Sequence, residues 1–199
     1  MDALNQVRGI AVPLMIDSID TDVITPVPRL LEGGENLVRY AFEPLRYLTD
    51  GSLNPKFPIN QERYAAAKIL IGGANLGCGS SRESAVWAIK GLGYKVVIAS
   101  SFGEIFFQNL FKNGLLPIRL DEQVVAKLAA QADGSEFAVD LAMQQITAPD
   151  GTTVSFEVNN FRKQGLLQGL DDLDLVLGKA DIVQSFQVID RKQRPWIYR

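Results

Sequence analysis

The residue types best suited to chemistry stand together in one run, Gly77-Cys78-Gly79-Ser80-Ser81-Arg82-Glu83. The run follows a short apolar stretch and precedes a helical pattern, which predicts a tight turn leading into a helix. Glycines in such a turn let the backbone bend sharply and let a ligand approach closely. The first turn of a helix offers unpaired N–H groups and a positive dipole end, so the run is suited to a carboxylate or a phosphate.

An arginine at the predicted helix start favours the same interpretation. The positive charge of Arg82 is unfavourable beside the positive end of the dipole unless an anion lies between the guanidinium and the amides. The planar guanidinium can then hold a carboxylate through two parallel hydrogen bonds. A purely structural interpretation stays equally open from the residues alone, because Ser80 and Glu83 have the spacing of a capping box.

The rest of the sequence excludes several kinds of binding and catalytic site. Only Gly77 and Gly79 match the dinucleotide-binding fingerprint, and no Gly-Lys-Ser/Thr follows as it does in a P-loop. The chain has no histidine, so the usual general acid–base at neutral pH must come from elsewhere. Cys78 is the single cysteine, which excludes an internal disulfide and a four-cysteine iron–sulfur site; we expect it to fill space beside the turn and predict no metal ligands.

The bulk properties exclude several classes of protein. A net charge of −3 gives no reason to expect a nucleic-acid partner. No apolar run approaches the roughly 18–20 residues of a membrane span, and residues 1–5 lack the layout of a secretory signal, so we expect a cytoplasmic protein. A chain of 199 residues, 47% of them hydrophobic, fits one large domain with a sizeable core.

The order of predicted elements indicates an α/β fold. Strands are expected at residues 68–71, 95–99 and 115–120, with helices at residues 80–90, 102–111 and 122–131. This alternation predicts a parallel sheet with right-handed crossovers. The weaker patterns predict a strand at 7–16 that lies at an edge or carries a bulge because of Pro13, paired strands at 137–146 and 153–158, a short helix at 35–47, and a tail helix at 180–188 before an aromatic end suited to docking.

Four motifs resemble, in order, those of the aconitase swivel-domain superfamily and of the isopropylmalate dehydratase small subunits within it. They lie at residues 20–24, 75–83, 94–106 and 169–172. The resemblance covers essentially the whole chain and implies one domain, residues 1–199. It implies a swivelling β/β/α three-layer fold with a mostly parallel central sheet and a smaller antiparallel layer.

The resemblance also implies a reaction and a partner. It predicts the small subunit of a hydro-lyase that isomerises 2-isopropylmalate to 3-isopropylmalate by dehydration and rehydration, in leucine biosynthesis. No cofactor is expected in this chain, because the family places a 4Fe-4S cluster on a large subunit, without which the chain should be inactive. The substrate is a small dicarboxylic hydroxy acid.

Roles for individual residues follow from the same resemblance. Ser80 is expected to be the base that removes the proton next to a carboxylate, and Arg82 the carboxylate partner. Asp22 is expected to orient the site, with an Asx-turn as its structural alternative. Ser81 either contributes a hydrogen bond or caps the helix, and the backbone at Gly79 approaches the substrate.

Three departures from the family pattern bear on these roles. Ser84 stands where the family usually has a histidine, and the cysteine often found near residues 162–167 is missing. The usual arginine-threonine-glycine stretch after the aspartate motif is also absent, so Arg29 or Arg39 is expected to replace its arginine. We expect the loop of residues 29–40 to discriminate among substrate side groups, where one methylene is worth about 1–3 kcal/mol.

The departures leave alternatives open. Small changes in that loop would favour methylmalate or citraconate, dimethylmalate or homoaconitate instead of isopropylmalate. A non-catalytic anion-binding or regulatory module that keeps the fold is a second alternative. An RNA-binding role is a third, against which the acidic balance argues.

Overall fold

The computed structural model of the chain describes residues 1–30 and 35–198. Residues 31–34, which belong to the loop expected to discriminate among substrates, and Arg199 lie outside the described residues. The described strands are β1 (Gln6–Leu14), β2 (Ile69–Gly72), β3 (Val96–Ala99), β4 (Leu116–Arg119), β5 (Glu136–Asp140), β6 (Gln145–Thr147) and β7 (Thr153–Ser155). The described α-helices are α1 (Thr21–Ile24), α2 (Val27–Leu30), α3 (Glu35–Arg39), α4 (Glu43–Arg46), α5 (Glu83–Gly91), α6 (Glu104–Lys112), α7 (Glu122–Ala130), α8 (Asn160–Gln168), α9 (Asp172–Leu177) and α10 (Ala180–Gln193).

The seven strands form one mixed sheet in the order β4-β3-β2-β1-β5-β6-β7. Strands β1 to β4 are parallel to one another, and β5 to β7 continue the sheet in antiparallel fashion. The predicted α/β fold, with a mostly parallel part and a smaller antiparallel part, is therefore confirmed. The antiparallel strands join the parallel ones through β1, which belongs to both halves.

Alternating side chains of the central strands build two cores, one on each face of the sheet. Ile69, Ile71 and Ile98 point into one core, whereas Leu70 and Val97 point into the other, and all five are fully buried. Helices α5 and α6 contribute to the core of Leu70, and α7 covers the opposite face. Strands covered on both faces read as continuous apolar runs, which is why β2 and β3 were predictable.

Strand β1 is central in the strand order, but its segment around Pro13 has the edge-like position that this proline predicts. Its first half pairs with β5 through Ile10, and its second half pairs with β2 from Ala11 onward. Pro13 lies in the second half, opposite Ile71, where the described strands give β1 one partner. A residue without an N–H is tolerated at such a position.

Two predicted elements are each divided in the structure. The strand expected at 137–146 consists of β5 and β6, because the chain turns back between them and the two strands pair with each other. The helix expected at 35–47 consists of α3 and α4, because Phe42 adopts a left-handed conformation (φ 59°) that no helix continues through. Strands β6 and β7 pair across the turn at 148–152, as predicted.

The last 27 described residues form an arm with little buried apolar surface. Helices α9 and α10 leave large apolar side chains exposed, among them Leu173, Ile182, Phe186 and Ile189. The one buried side chain of α10 is Asp190, whose carboxylate accepts hydrogen bonds from side chains of the arm itself. Among the described helices, none is long and apolar enough to cross a membrane.

Candidate active site

Two distant segments are fastened side by side at the carboxyl end of the parallel strands. The amide of Gly77 donates to the carbonyl of Ile19 (2.8 Å), and the amide of Thr21 donates to the carbonyl of Cys78 (2.9 Å). The hydroxyl of Thr21, which is buried, donates to the carbonyl of Ser80 (3.0 Å). The segment of residues 19–22 therefore fixes the backbone of the glycine turn.

The two glycines of the turn are required by their surroundings. Gly77 (φ 71°) and Gly79 (φ 87°) both adopt the left-handed conformation that favours glycine. A Cβ at Gly77 would overlap the ring of Phe106, and a Cβ at Gly79 would overlap the carboxylate of Asp20. The turn that was predicted from the glycine spacing is therefore present, and it is closely packed.

Ser80, Arg82 and Asp22 meet at the end of this turn. The guanidinium of Arg82 forms an ion pair with the carboxylate of Asp22 through Nη1. Its Nη2 donates to the Ser80 hydroxyl at 3.4 Å, at the long end of the hydrogen-bond range. The Asp22 side chain is 50% exposed and that of Arg82 is 22% exposed. The structure thus brings together the three residues that the sequence predicted as catalytic, at a position open to solvent.

Asp22 is not the residue that caps helix α1. That role falls to Asp20, whose Oδ1 accepts a hydrogen bond from the amide of Asp22 (2.6 Å). The carboxylate of Asp22 is left to face Arg82.

The capping box predicted as the structural alternative is absent. Helix α5 begins at Glu83 with Arg82 as its N-cap residue, so Ser80 and Ser81 precede the helix. The Glu83 carboxylate accepts a hydrogen bond from the side chain of Asn113 (2.8 Å) instead of returning to Ser80. Ser81 is exposed and caps nothing, which leaves its hydroxyl and that of Ser80 at the surface beside the helix start.

Arg29 and Arg39 lie in a separate cluster around Tyr40. Arg29 stacks on the Tyr40 ring at 3.9 Å and donates two hydrogen bonds to the carboxylate of Glu43, at 2.9 and 2.6 Å. These hydrogen bonds lower the pKa of the Glu43 carboxyl, and the positive charge of Arg29 adds to the effect. Arg39 is exposed, with its guanidinium 5.4 Å from the same ring.

This cluster is displaced from the Ser80 turn. Val38, which precedes Arg39, packs against Gly91 at the last turn of α5, whereas Arg82 lies before its first turn. Helix α5 has nine residues, so its two ends lie about 12 Å apart. Both arginines line a groove of about 470 Å³ with Tyr40 and Glu43. Arg39 therefore lies toward the end of α5 that is far from Arg82, and Arg29 contacts Tyr40 and Glu43 in the same cluster.

Thr21 is the residue of this site that sequence reasoning missed. It stands between two aspartates in a motif that drew attention to its acidic neighbours. Its contribution is a buried hydrogen bond across 59 residues, which no local spacing reveals. Thr21 is fully buried beside the exposed Asp22, and its residue type alone gives no signal of this role.

Comparisons with known proteins identify the family. A model of the aconitase C-terminal domain matches residues 1–123, and a second model, LeuD_N, matches residues 122–160. The 3-isopropylmalate dehydratase small subunit of Paramagnetospirillum magneticum is 45% identical, over 99% of this chain and all of its own length. The chain belongs to the family of 3-isopropylmalate dehydratase small subunits. The small subunit of Nitrobacter winogradskyi is 44% identical over 98% of this chain and likewise all of its own length.

A solved structure agrees with this assignment. The crystal structure of 3-isopropylmalate dehydratase from Methanocaldococcus jannaschii superposes with a TM-score of 0.66 and is 29% identical. The match covers 92% of this chain and 99% of that one. The predicted membership of the aconitase superfamily is confirmed.

Ser84, which departs from the usual pattern of these small subunits, is buried in the first turn of α5. Its carbonyl accepts a hydrogen bond from the hydroxyl of Thr25 at 3.4 Å. Its own hydroxyl finds no hydrogen-bond partner within the described ranges 1–30 and 35–198. The residue therefore lies on the core side of α5, two positions after Arg82.

This small subunit offers no residues suited to an iron–sulfur cluster. Cys78 is its single cysteine, partly buried, and its carbonyl is used to hold Thr21. In the part of the chain that the structure describes, no group of three or more cysteine or carboxylate side chains is placed to hold a metal ion.

Proposed function

We propose that the chain is the small subunit of a cytoplasmic hydro-lyase that isomerises 2-isopropylmalate to 3-isopropylmalate. The observation that carries the proposal is the cluster of Ser80, Arg82 and Asp22 at a surface-exposed turn. The relatives are 3-isopropylmalate dehydratase small subunits, which supports this substrate over methylmalate, dimethylmalate and homoaconitate. Residues 1–199 act as one swivel domain in this proposal.

Ser80 acts as the base in this reaction. With its Oγ as the alkoxide, Ser80 takes the proton from the carbon next to a substrate carboxylate. The C–H electron pair forms the C=C bond as the C–O bond breaks and hydroxide leaves. Rehydration reverses these changes and returns the proton. An unaided serine hydroxyl does not supply this alkoxide at neutral pH, because the negative charge on its oxygen is unfavourable. The N–H of Arg82 that points at this oxygen offsets that charge, and the adjoining start of α5 adds its positive dipole end.

Arg82 has a second task, which is to receive a substrate carboxylate. Asp22 already holds one side of the guanidinium and so fixes its plane before the substrate arrives. The exposed hydroxyl of Ser81 lies beside this position and contributes a hydrogen bond to the same carboxylate. The backbone at Gly79, which has no side chain to block it, lets the substrate approach the turn.

The large subunit completes the site. The family name implies such a partner, and the 4Fe-4S cluster proposed on it would hold the hydroxyl and a carboxylate of the substrate. Arg29 and Arg39 line a separate groove, so we assign them to the discrimination of the substrate side group or to contact with the large subunit. The open position of Ser80 is suited to a site that two chains close between them.

Reconstitution tests the proposal directly. The purified chain alone should not convert 2-isopropylmalate, and conversion should appear when it is mixed anaerobically with a cluster-loaded 3-isopropylmalate dehydratase large subunit. The large subunit alone serves as the control. Conversion by the isolated chain, or its absence from a complex that assembles, contradicts the proposal.

A further inference from the structure

A cavity lined by cations lies away from the Ser80 turn. Its volume is about 310 Å³, within the range of small-molecule sites, and residues 1–4 form one of its walls. Four positively charged side chains line it: Arg8, Lys68, Lys90 and Lys95. The single carboxylate in the lining is that of Asp2. The concentration of positive charge is unexpected in a chain whose net charge is −3.

The fold brings these cations together from separate elements. Arg8 belongs to β1, whereas Lys68 and Lys95 immediately precede β2 and β3. The amide of Lys95 donates to the carbonyl of Lys68 (2.8 Å), and the amide of Lys68 donates to the carbonyl of Ile10 (3.0 Å). Three neighbouring strands therefore present their cations at the same end of the sheet.

Two of the four lysine and arginine side chains are held in place. The ammonium of Lys90 donates to the carbonyl of Asn113 (2.9 Å), which also lines the cavity. The stem of Lys68 lies over Gly9, where an added Cβ would stand 3.1 Å from its Cδ. A glycine at that position leaves the space in which Lys68 lies.

The described residues form no ion pairs that would neutralise the charges of this cluster. Across residues 1–30 and 35–198, no carboxylate forms an ion pair with Arg8, Lys68, Lys90 or Lys95. Like charges brought together in a cleft repel one another and concentrate their field there. A bound anion relieves that repulsion.

The cavity is distinct from the proposed catalytic site. The Ser80 turn follows the carboxyl end of β2, and Lys68 precedes its amino end. Lys90 and Arg82 are likewise at opposite ends of α5. The two positions are thus separated by the full length of β2 and of α5.

We propose that this cavity binds a small anion with two or more carboxylate or phosphate groups, at a site additional to the catalytic one. Multiple anionic groups match cations that come from several directions, and charge-assisted hydrogen bonds to lysine and arginine supply the affinity. The volume admits a molecule the size of citrate or pyrophosphate. The inference uses none of the residues of the proposed catalytic cluster and stands independently of the proposed reaction.

Calorimetry tests the proposal. The full chain is titrated with citrate, and separately with pyrophosphate, in about 150 mM NaCl, which largely screens interactions between exposed charges. Saturable binding at one site is expected for at least one probe, and the preferred probe identifies the anionic group. The double variant Lys68→Gln/Lys95→Gln should bind the preferred probe at least about tenfold more weakly, because each charged hydrogen bond is worth about 1.5–3 kcal/mol.

Two control variants make the result specific. Lys127→Gln/Lys192→Gln removes the same charge from exposed lysines on α7 and α10 and should change the affinity less than about twofold. Arg82→Gln should leave the affinity unchanged, which separates this cavity from the catalytic site. The proposal is overturned if neither probe shows saturable binding. It is also overturned if Lys127→Gln/Lys192→Gln loses as much affinity as Lys68→Gln/Lys95→Gln, or if Arg82→Gln loses binding.

Discussion

The basic character proposed for Ser80 depends on the position of Arg82 beside it. A serine hydroxyl is an ordinary surface group unless a positive donor lowers the cost of the charge on its oxygen. Here that donor is Nη2 of Arg82, and Asp22 holds the other terminal nitrogen. Half of the Asp22 side chain is exposed, so the ion pair adds little to the free energy of unfolding and serves mainly to orient the Arg82 guanidinium.

Removal of the Ser80 hydroxyl should abolish most turnover without affecting assembly. Ser80→Ala deletes the proposed base, and a positioned base contributes about 100- to 10,000-fold in rate. We expect kcat of the reconstituted complex to fall within that range. Ser81→Ala is the matched control on the neighbouring exposed hydroxyl and should raise KM with a much smaller effect on kcat. Equal loss of kcat in both variants contradicts the assignment of Ser80 as the base.

Replacement of Arg82 by lysine should separate charge from geometry. Lysine keeps the positive charge but has one nitrogen, so it cannot hold Asp22 and Ser80 through two fixed N–H groups. Loss of a donor to a developing oxyanion typically costs about 100- to 1,000-fold in rate, and we expect a loss of kcat/KM of that order for Arg82→Lys. Steady-state kinetics of the reconstituted complex measure it, with Lys127→Arg on an exposed helix face as the control. Near-normal kcat/KM in Arg82→Lys shows that the fork geometry is not required.

Some contacts of the site residues could be predicted from the sequence, and others could not. Ser80 and Arg82 were found because their types and neighbours are contiguous, whereas the Arg82–Asp22 pair joins residues 60 positions apart and followed only from the family resemblance. Arg29 is predicted to contact substrate, and in the structure its guanidinium donates two hydrogen bonds to Glu43, 14 residues away. Spacing along a loop does not determine which partner a long side chain finds.

At the scale of elements, the glycine turn is the part that positions the site. Gly77 combines a left-handed backbone with direct contact to the Phe106 ring of α6, so neither a side chain nor a different φ is accommodated. Its amide also holds Ile19, which places helix α1 and Asp22. A disturbance of this glycine is therefore transmitted to both halves of the catalytic cluster.

Gly77→Ala should destabilise the chain more than an exposed glycine in the same conformation. The left-handed backbone costs about 1–2 kcal/mol for alanine, and overlap with Phe106 adds about 1–3 kcal/mol. For a chain of this size we expect Tm to fall by on the order of 10 °C. Gly151→Ala is the control, since Gly151 (φ 84°) has nothing within 4 Å of the added Cβ and should show the backbone cost alone. Equal shifts in Tm for the two variants, measured by thermal denaturation, exclude the steric contribution.

Prediction of the elements succeeded where burial is continuous and failed where a single residue redirects the chain. Strands β2 and β3 are apolar at every position and were placed within one residue. The break at Phe42 depends on a left-handed aromatic residue held by the core, and Pro44 at the start of α4 is the sequence signal beside it. The central position of β1 depends on pairing with β2 across more than 50 residues, which a proline in the strand made hard to anticipate.

At the scale of the whole molecule, the C-terminal arm is the feature that the fold of the domain does not explain. Ile182, Phe186 and Ile189 share one face of α10 at helical spacing and are 70%, 58% and 58% exposed. A contiguous apolar face of this kind marks a protein–protein contact. Because the chain belongs to a family of small subunits, we expect the large subunit to cover this face.

Polar substitution on this face should therefore prevent assembly and leave the domain folded. In Ile182→Gln/Phe186→Gln/Ile189→Gln the helix-forming character of α10 is kept while its apolar contact is lost. Few contacts tie the arm to the sheet, and the buried Asp190 is satisfied by Arg194 and Tyr198 of the arm itself, so Tm of the isolated chain should change little. Affinity for the large subunit, measured by calorimetry, should fall at least about tenfold, since hot-spot apolar residues contribute more than 1 kcal/mol each.

The opposite face of the same helix supplies the control. Gln184→Ala/Gln187→Ala changes two polar positions of α10 and should leave the affinity for the large subunit unchanged. If the apolar-face variant binds as tightly as the unaltered chain, the large subunit does not cover the arm. If instead the unaltered chain dimerises alone in sedimentation experiments and the variant does not, a second copy covers the face. The two results are separable because the first depends on the presence of the large subunit and the second on the concentration of this chain alone.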